Sequence, residues 1–297
     1  MRTRTFPLGA VLAFGLAALP PTADAAETSE IPDETPAAIS VESDAREGDP
    51  FAQFVVGRRE LVRAANENDP TRAQVGLGFL ARSATAGFAP AARFAGSVYL
   101  TGEYVPRDSA QALAWFTRAA ELGDADSQRV LGNLYDDGDL VPQDLALAVR
   151  HYESYVENPG AMHEPEELYE TAYRLGVLHA QGVGAPADAK RARDLWTRAA
   201  TQGRYPPALE ALAAIRAKTD PTGAVQDYLE AARAYLRGGL RYDIEADAAR
   251  DNARRILAEM ERLSPGDRAV QRLQAELAEA AAMRQKPPRV PRPWATS

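Results

Sequence analysis

Three aspartates, Asp108, Asp144 and Asp188, recur along this chain at offsets of 36 and 44 residues. Acids placed so regularly could hold a metal ion or share a proton. Two tryptophans, Trp115 and Trp196, could stack on a cofactor. Of the three histidines, His163 has Glu164, Glu166 and Glu167 close by and could help hold a divalent ion. Catalysis needs a nucleophile with a base, paired carboxylates or a metal cluster, and the inventory for those is small. There is no cysteine, and the chain contains no Gly-x-Ser-x-Gly, Ser-x-x-Lys, phosphate-loop or dinucleotide motif.

The surroundings of each candidate give it a structural task. Each aspartate follows a proline by two residues, in Val105-Pro106-Arg107-Asp108, Val141-Pro142-Gln143-Asp144 and Ala185-Pro186-Ala187-Asp188. Proline disfavours helix in the residue before it. An aspartate just ahead of an apolar-periodic segment is placed to cap the next helix by accepting an orphan backbone N–H. His151 falls at the place of Trp115 and Leu195, and His179 at that of Tyr99 and Tyr135, so both read as partly buried rings. Trp115 and Trp196 read as core between repeats. The spacing around His163 matches no metal motif, and acids after Pro165 suit the first turn of a helix. No catalytic residue, metal or cofactor is expected.

The elements that position these residues repeat as well. Ala95-Gly96-Ser97-Val98-Tyr99, Leu131-Gly132-Asn133-Leu134-Tyr135 and Leu175-Gly176-Val177-Leu178-His179 are three copies of one pattern. Gly102, Gly138 and Gly182 follow in register, then the aspartates, then Ala112, Ala148 and Ala192. Each unit predicts a helix with a glycine inside it, a glycine stop, a capped linker and a second apolar helix. Gly96, Gly132 and Gly176, with Gly57 as a fourth, predict close approach of a neighbouring helix. A repeat in the mid-thirties with helical chemistry predicts an all-α solenoid.

These residues resemble the Sel-one-like repeat of the tetratricopeptide superfamily. Its pattern is a Leu-Gly-x-Leu-Tyr helix, then Gly, Val, an Asp cap and a Trp-Tyr-x-Lys-Ala-Ala-x-x-Gly helix. The match is specific in 88–123, 124–157 and 166–203. Unit 48–87 is degenerate, with about three extra residues in its middle and no cap pattern. Residues 204–215 read as the first helix of a further unit. The resemblance implies a right-handed superhelix over 48–215 that binds other proteins, in a family whose members often serve in bacterial periplasms as adaptors or regulators. It also implies that the first helix of each unit lines a concave face. There the non-core positions are Phe54 and Arg58, Arg93 and Ser97, Arg129 and Asn133, and Tyr173 and Val177, with Asp136 and Arg174 close in register. Arginines in successive units could clamp the carboxylates or carbonyls of an extended peptide, with Phe54 and Tyr173 as anchors. Solvated surface charge is the other reading of the same arginines.

The ends bound the rest. Arg2 and Arg4, an apolar run from Leu8 to Leu19, and Ala23-Asp24-Ala25 read as a Sec-type signal peptide over 1–25, cleaved near Ala25. That predicts a periplasmic or secreted protein with no stable membrane insertion. Removing 1–25 takes away two arginines and one aspartate and moves the net charge from −8 to −9. Such acidity argues against nucleic acid as a partner. Residues 26–47 read as a disordered tether, 216–285 as C-terminal capping helices, and 286–297 as a Pro/Arg-rich disordered tail whose Pro288-x-x-Pro291 fits a polyproline helix. The expected function is a non-enzymatic interaction module, a scaffold or regulator of an envelope complex. Two alternatives stay open: an envelope hydrolase or β-lactam-binding protein, and a structural dimer joined through the C-terminal helices. The sequence does not set the oligomeric state.

Overall fold

A computed structural model describes residues 36–285 apart from 239–241 and 243. The signal-peptide reading of 1–25 and the tail reading of 286–297 lie outside the described residues. The described chain is helical, with no strand among the described residues, and it divides into two compact units at Leu122 and Gly123.

The first unit holds α1 (Pro36–Glu47) and two hairpins, α2 (Pro50–Glu67) with α3 (Pro70–Thr85) and α4 (Ala89–Thr101) with α5 (Ser109–Glu121). Its main core gathers Leu61, Leu80, Ala91, Ala95, Val98 and Ala119. The tether expected over 26–47 is corrected for its second half, because 36–47 is helix. Ala45 is buried with Ala52 and Val56, Val41 and Phe79 pack on them, and Arg59 pairs with Glu42 at 2.6 Å. One small apolar stripe, Val41 and Ala45, suffices once a neighbouring helix offers a matching face.

The degenerate unit is also better formed than its sequence suggests. Its additional residues lengthen α2 to 18 residues, and the linker shrinks to Asn68 and Asp69. Asn68 takes the left-handed conformation (φ 54°), and Asp69 caps α3 through the N–H groups of Thr71 and Arg72. A cap is therefore present, displaced from the repeat register.

The second unit holds hairpins α6 (Ala125–Asp137) with α7 (Leu145–Glu157), α8 (Pro165–Gln181) with α9 (Ala189–Gln202), and α10 (Pro206–Arg216) with α11 (Pro221–Gly238). A short 3-10 turn, Pro159–His163, separates α7 from α8, and α12 (Ala246–Leu263) and α13 (Arg268–Gln285) complete the unit. Residues 206–238 thus make a full hairpin, so the repeat plan runs past 215. Ile256, Met260, Val270 and Leu273 are buried in the common core.

The aspartates behave as caps. Asp108 accepts from Ala110 and Gln111, Asp144 from Ala146 and Leu147, and Asp188 from Arg191. Each also closes its own loop, its N–H donating to the carbonyl of Tyr99, Tyr135 or His179 at 3.0, 2.9 and 2.9 Å. Gly102, Gly138 and Gly182 end their helices at φ 74°, 74° and 68°, the left-handed region in which glycine carries no steric penalty. The glycines inside the helices face rings. A Cβ on Gly96 would lie 3.0 Å from the Phe116 ring, and one on Gly176 would lie 2.5 Å from Nε1 of Trp196. Gly132 faces Tyr152 more closely still. In the first hairpin Gly57 and Gly76 meet backbone to backbone. The ring position of the repeat is therefore Phe116, Tyr152 and Trp196, one residue past the place shared by Trp115, His151 and Leu195. Trp196 is core, whereas Trp115 is only partly buried.

Candidate functional site

The proposed first-helix positions fall in both units, and each unit uses them differently. In the first, Phe54 and Arg58 stand on α2. The Arg58 guanidinium lies over two rings, 5.3 Å from the centroid of Phe54 and 5.1 Å from that of Phe94. This cation–π geometry holds a flexible side chain against the two rings. Arg93 and Ser97 stand on α4, where the Ser97 hydroxyl donates back to the Arg93 carbonyl at 3.2 Å.

Around Arg58 the rings form a continuous row. Phe51 meets Phe88 at 6.1 Å, Phe88 meets Phe54 at 5.4 Å, Phe54 meets Phe94 at 6.1 Å, and Phe94 meets Tyr104 at 6.4 Å. These separations lie within the range in which aromatic pairs attract beyond simple burial. Phe51 is 56% exposed, and the other four rings are partly exposed. Phe88 occupies the cap position of α4, yet it makes no capping hydrogen bond. A phenyl ring there forgoes a cap in favour of ring contact. Tyr104 lies beside Glu103, and burial followed by that carboxylate pushes its hydroxyl above the usual tyrosine range. Phe51, Phe88, Phe94 and Tyr104 were not among the residues singled out from sequence. Phe51 and Phe88 sit at unit boundaries, outside the register used to find the others.

In the second unit the same register positions are bound into the fold. Arg129 is 8% exposed and pairs with Glu167 at 3.0 Å and Glu164 at 3.6 Å. The insertion after α7 brings those acids to it. Asn158 anchors the insertion, donating to the Gly123 carbonyl and to Gln128, both at 3.0 Å, and accepting from Gly160. Asp136, also 8% exposed, accepts from Arg174 at 2.6 and 2.5 Å and from the Tyr152 hydroxyl at 3.1 Å. Asn133 accepts from the same hydroxyl at 2.9 Å. Tyr173 packs against Trp196 and Tyr205, and the Trp196 indole N–H donates to its carbonyl at 3.1 Å. The basic track expected here is thus corrected for Arg129 and Arg174, whose charges are met by acids of neighbouring helices.

The groups with potential chemistry are accounted for in the same way. His179 is 6% exposed and lies 3.1 Å from Glu153, out of a substrate's reach. His151 stacks on Tyr135 with rings 5.8 Å apart and 6° from parallel. Burial, and then the charge of Arg150, push it below the usual histidine range. His163 is exposed in the 3-10 turn. Burial and Asp136 push the Tyr152 hydroxyl far above the range useful for proton transfer at neutral pH. Among the described residues no group of three or more His, Cys, Asp or Glu side chains could hold a metal ion.

A row of helical hairpins with repeated caps and glycines defines an α-solenoid of helix–turn–helix repeats. The Sel1 repeat family matches residues 89–124, 125–154 and 170–203, hairpins α4–α5, α6–α7 and α8–α9, and the chain therefore carries three Sel1 repeats. Proteins of this family generally act as protein–protein interaction modules. The chain is similar to a Sel1 repeat protein from Oxalobacter formigenes, at 22% identity over 79% of this chain and 92% of that one, with a TM-score of 0.49. It is also similar to a protective antigen of uropathogenic Escherichia coli displaying an SLR fold, at 19% identity over 84% of this chain and 64% of that one, with a TM-score of 0.38. No curated protein matches the chain.

Proposed function

We propose that this chain is an exported, non-enzymatic interaction module that scaffolds or regulates a cell-envelope complex. The observation that carries the binding reading is the ring row of the first unit, with Arg58 laid over Phe54 and Phe94. Partly exposed aromatic rings gathered around an arginine are the composition of binding hot spots. The paired groups of the second unit hold adjacent helices in register and leave the docking role to the first. Export rests on residues 1–25, whose basic start, short apolar run and small-residue site fit a cleaved signal. Among the described residues no helix is long and apolar enough to cross a membrane.

The test is crosslinking in the native envelope followed by mass spectrometry, on the wild type and on a Phe51→Ser/Arg58→Ala variant. The expected result is a specific set of crosslinked proteins that the variant loses while keeping its melting temperature. An unchanged set would overturn the role of the ring row. Fractionation and N-terminal sequencing test export, with a mature chain beginning near Ala26 expected.

A further inference from the structure

We propose that the ring row takes the C-terminal segment Lys286–Ser297 of a second copy of this chain, so that copies join head to tail. This rests on the reading of the row as a docking surface and adds an occupant to it. Rows of partly exposed aromatic rings are the surfaces on which polyproline helices dock, since a polyproline ligand is already extended and loses little entropy. The chain supplies such a ligand. Residues 286–297 contain Pro287, Pro288, Pro291 and Pro293, with Trp294 as the one aromatic side chain among them.

Length and charge agree with this pairing. The four ring-to-ring steps of 6.1, 5.4, 6.1 and 6.4 Å limit the row to about 24 Å. At ~3.1 Å per residue, the six steps from Pro288 to Trp294 as a polyproline helix span about 19 Å, which fits within the row. The segment carries Lys286, Arg289 and Arg292 and no acidic side chain, against a net charge of −8 for the whole chain. Exposed Glu103, next to Tyr104, gives one end of the row a carboxylate for those cations. A ligand at one end of a chain and its receptor near the other make a heterologous contact, which propagates unless its rotation closes a ring.

The probe is a labelled synthetic peptide of residues 286–297, titrated by fluorescence anisotropy into the full chain carrying Trp294→Ala, whose own tail then competes weakly. Saturable binding is expected, weakened at least tenfold by Phe54→Ala/Phe94→Ala in the receptor. Phe51→Ser, at a largely exposed position, reports the same loss if the double variant does not fold. Peptides with Pro288→Ala/Pro291→Ala should bind at least tenfold more weakly. Light scattering of the wild-type chain should show mass rising with concentration, and Trp294→Ala should abolish the rise. No saturable binding, or binding indifferent to Phe51 and Phe54, overturns the proposal. So does a monomer at every concentration, which would place the tail on its own chain or leave the row to another protein. If the row variants lose envelope partners while the peptide never binds, the docking reading stands and the self-association fails alone.

Discussion

The carboxylate of Asp136 receives Nε and Nη2 of Arg174, at 2.6 and 2.5 Å, from 38 residues along the chain. The pair joins the first helices of two consecutive hairpins, and the Tyr152 hydroxyl donates to the same carboxylate. Side-chain hydrogen bonding to Asp136 raises the Arg174 pKa further above its already high value, so the guanidinium stays charged. Asp136→Ala should destabilise the chain by about 2–3 kcal/mol. That is below the range for fully buried pairs, because the Arg174 side chain is 35% exposed. Denaturant unfolding of Asp136→Ala, Arg174→Ala and the double variant checks it. The double variant should cost less than the two single ones summed.

The glycine positions make a graded prediction. A methyl group at Gly132 has to displace the Tyr152 ring, whereas at Gly96 it meets Phe116 at 3.0 Å. Gly132→Ala should lower stability by about 1–3 kcal/mol, the usual cost of overpacking. Gly96→Ala should cost less, because alanine also favours the helix by up to about 1 kcal/mol. Thermal melts of the two variants should rank in that order. The reverse order would mean that the Tyr152 ring moves aside freely.

Removing a cap has a smaller effect. Asp144→Ala leaves the N–H groups of Ala146 and Leu147 without their acceptor and should cost about 1 kcal/mol, with Asp144→Asn costing less. Asp188 adds a pH dependence. The N–H of Arg191, and then that of Lys190, hold its carboxyl below the usual range. Its contribution is therefore complete above the unfolded-state pKa and is lost as the pH falls through the folded one. Asp188→Asn should flatten the loss of stability below about pH 4, measured by melting across an acid series.

His151 acts at higher pH and in the same direction. Its folded pKa lies below that of the unfolded chain, which is about 6.5. The unfolded state thus binds the proton first, and stability falls as the pH drops from above 6.5 through the folded value. Replacing it by phenylalanine keeps a ring against Tyr135 and removes the titration. His151→Phe should show a smaller difference in melting temperature between pH 7.5 and pH 5.5 than the wild type.

Helix α1 makes the last prediction. A chain starting at Gly48 loses the burial of Ala45 and the Glu42–Arg59 pair, and it uncovers Val56 and Phe79. Terminal units of a solenoid shield the apolar face of the next one. The shortened chain should melt a few degrees lower and be cut more readily by protease within α2, while its helical circular dichroism changes little.

The caps, the terminal glycines and the repeat were legible in the sequence because each depends on contacts within one hairpin. An aspartate two residues past a proline caps whatever helix follows, and Gly102 ends its helix wherever that helix packs. The helix at 36–47 is not legible in the sequence for the converse reason. Its small apolar stripe gains a fold only from Val56 and Phe79, which composition does not register. The ring row was half visible, through Phe54 and Arg58. Phe51, Phe88 and Tyr104 join it from unit boundaries and a loop, where the repeat register has nothing to say.

By itself the sequence determined the architecture, since period, caps and apolar spacing are short-range properties that repeat. Only the tertiary structure decided what the arginines do. Arg58, Arg129 and Arg174 stand at comparable places on first helices, yet one lies over two rings and two meet carboxylates. A long side chain takes its partner from whatever the neighbouring helices bring within a few ångströms. Here the insertion brings Glu167 to Arg129 and the stacking of hairpins brings Asp136 to Arg174. Those distances are set by packing, and no local pattern of residues encodes them.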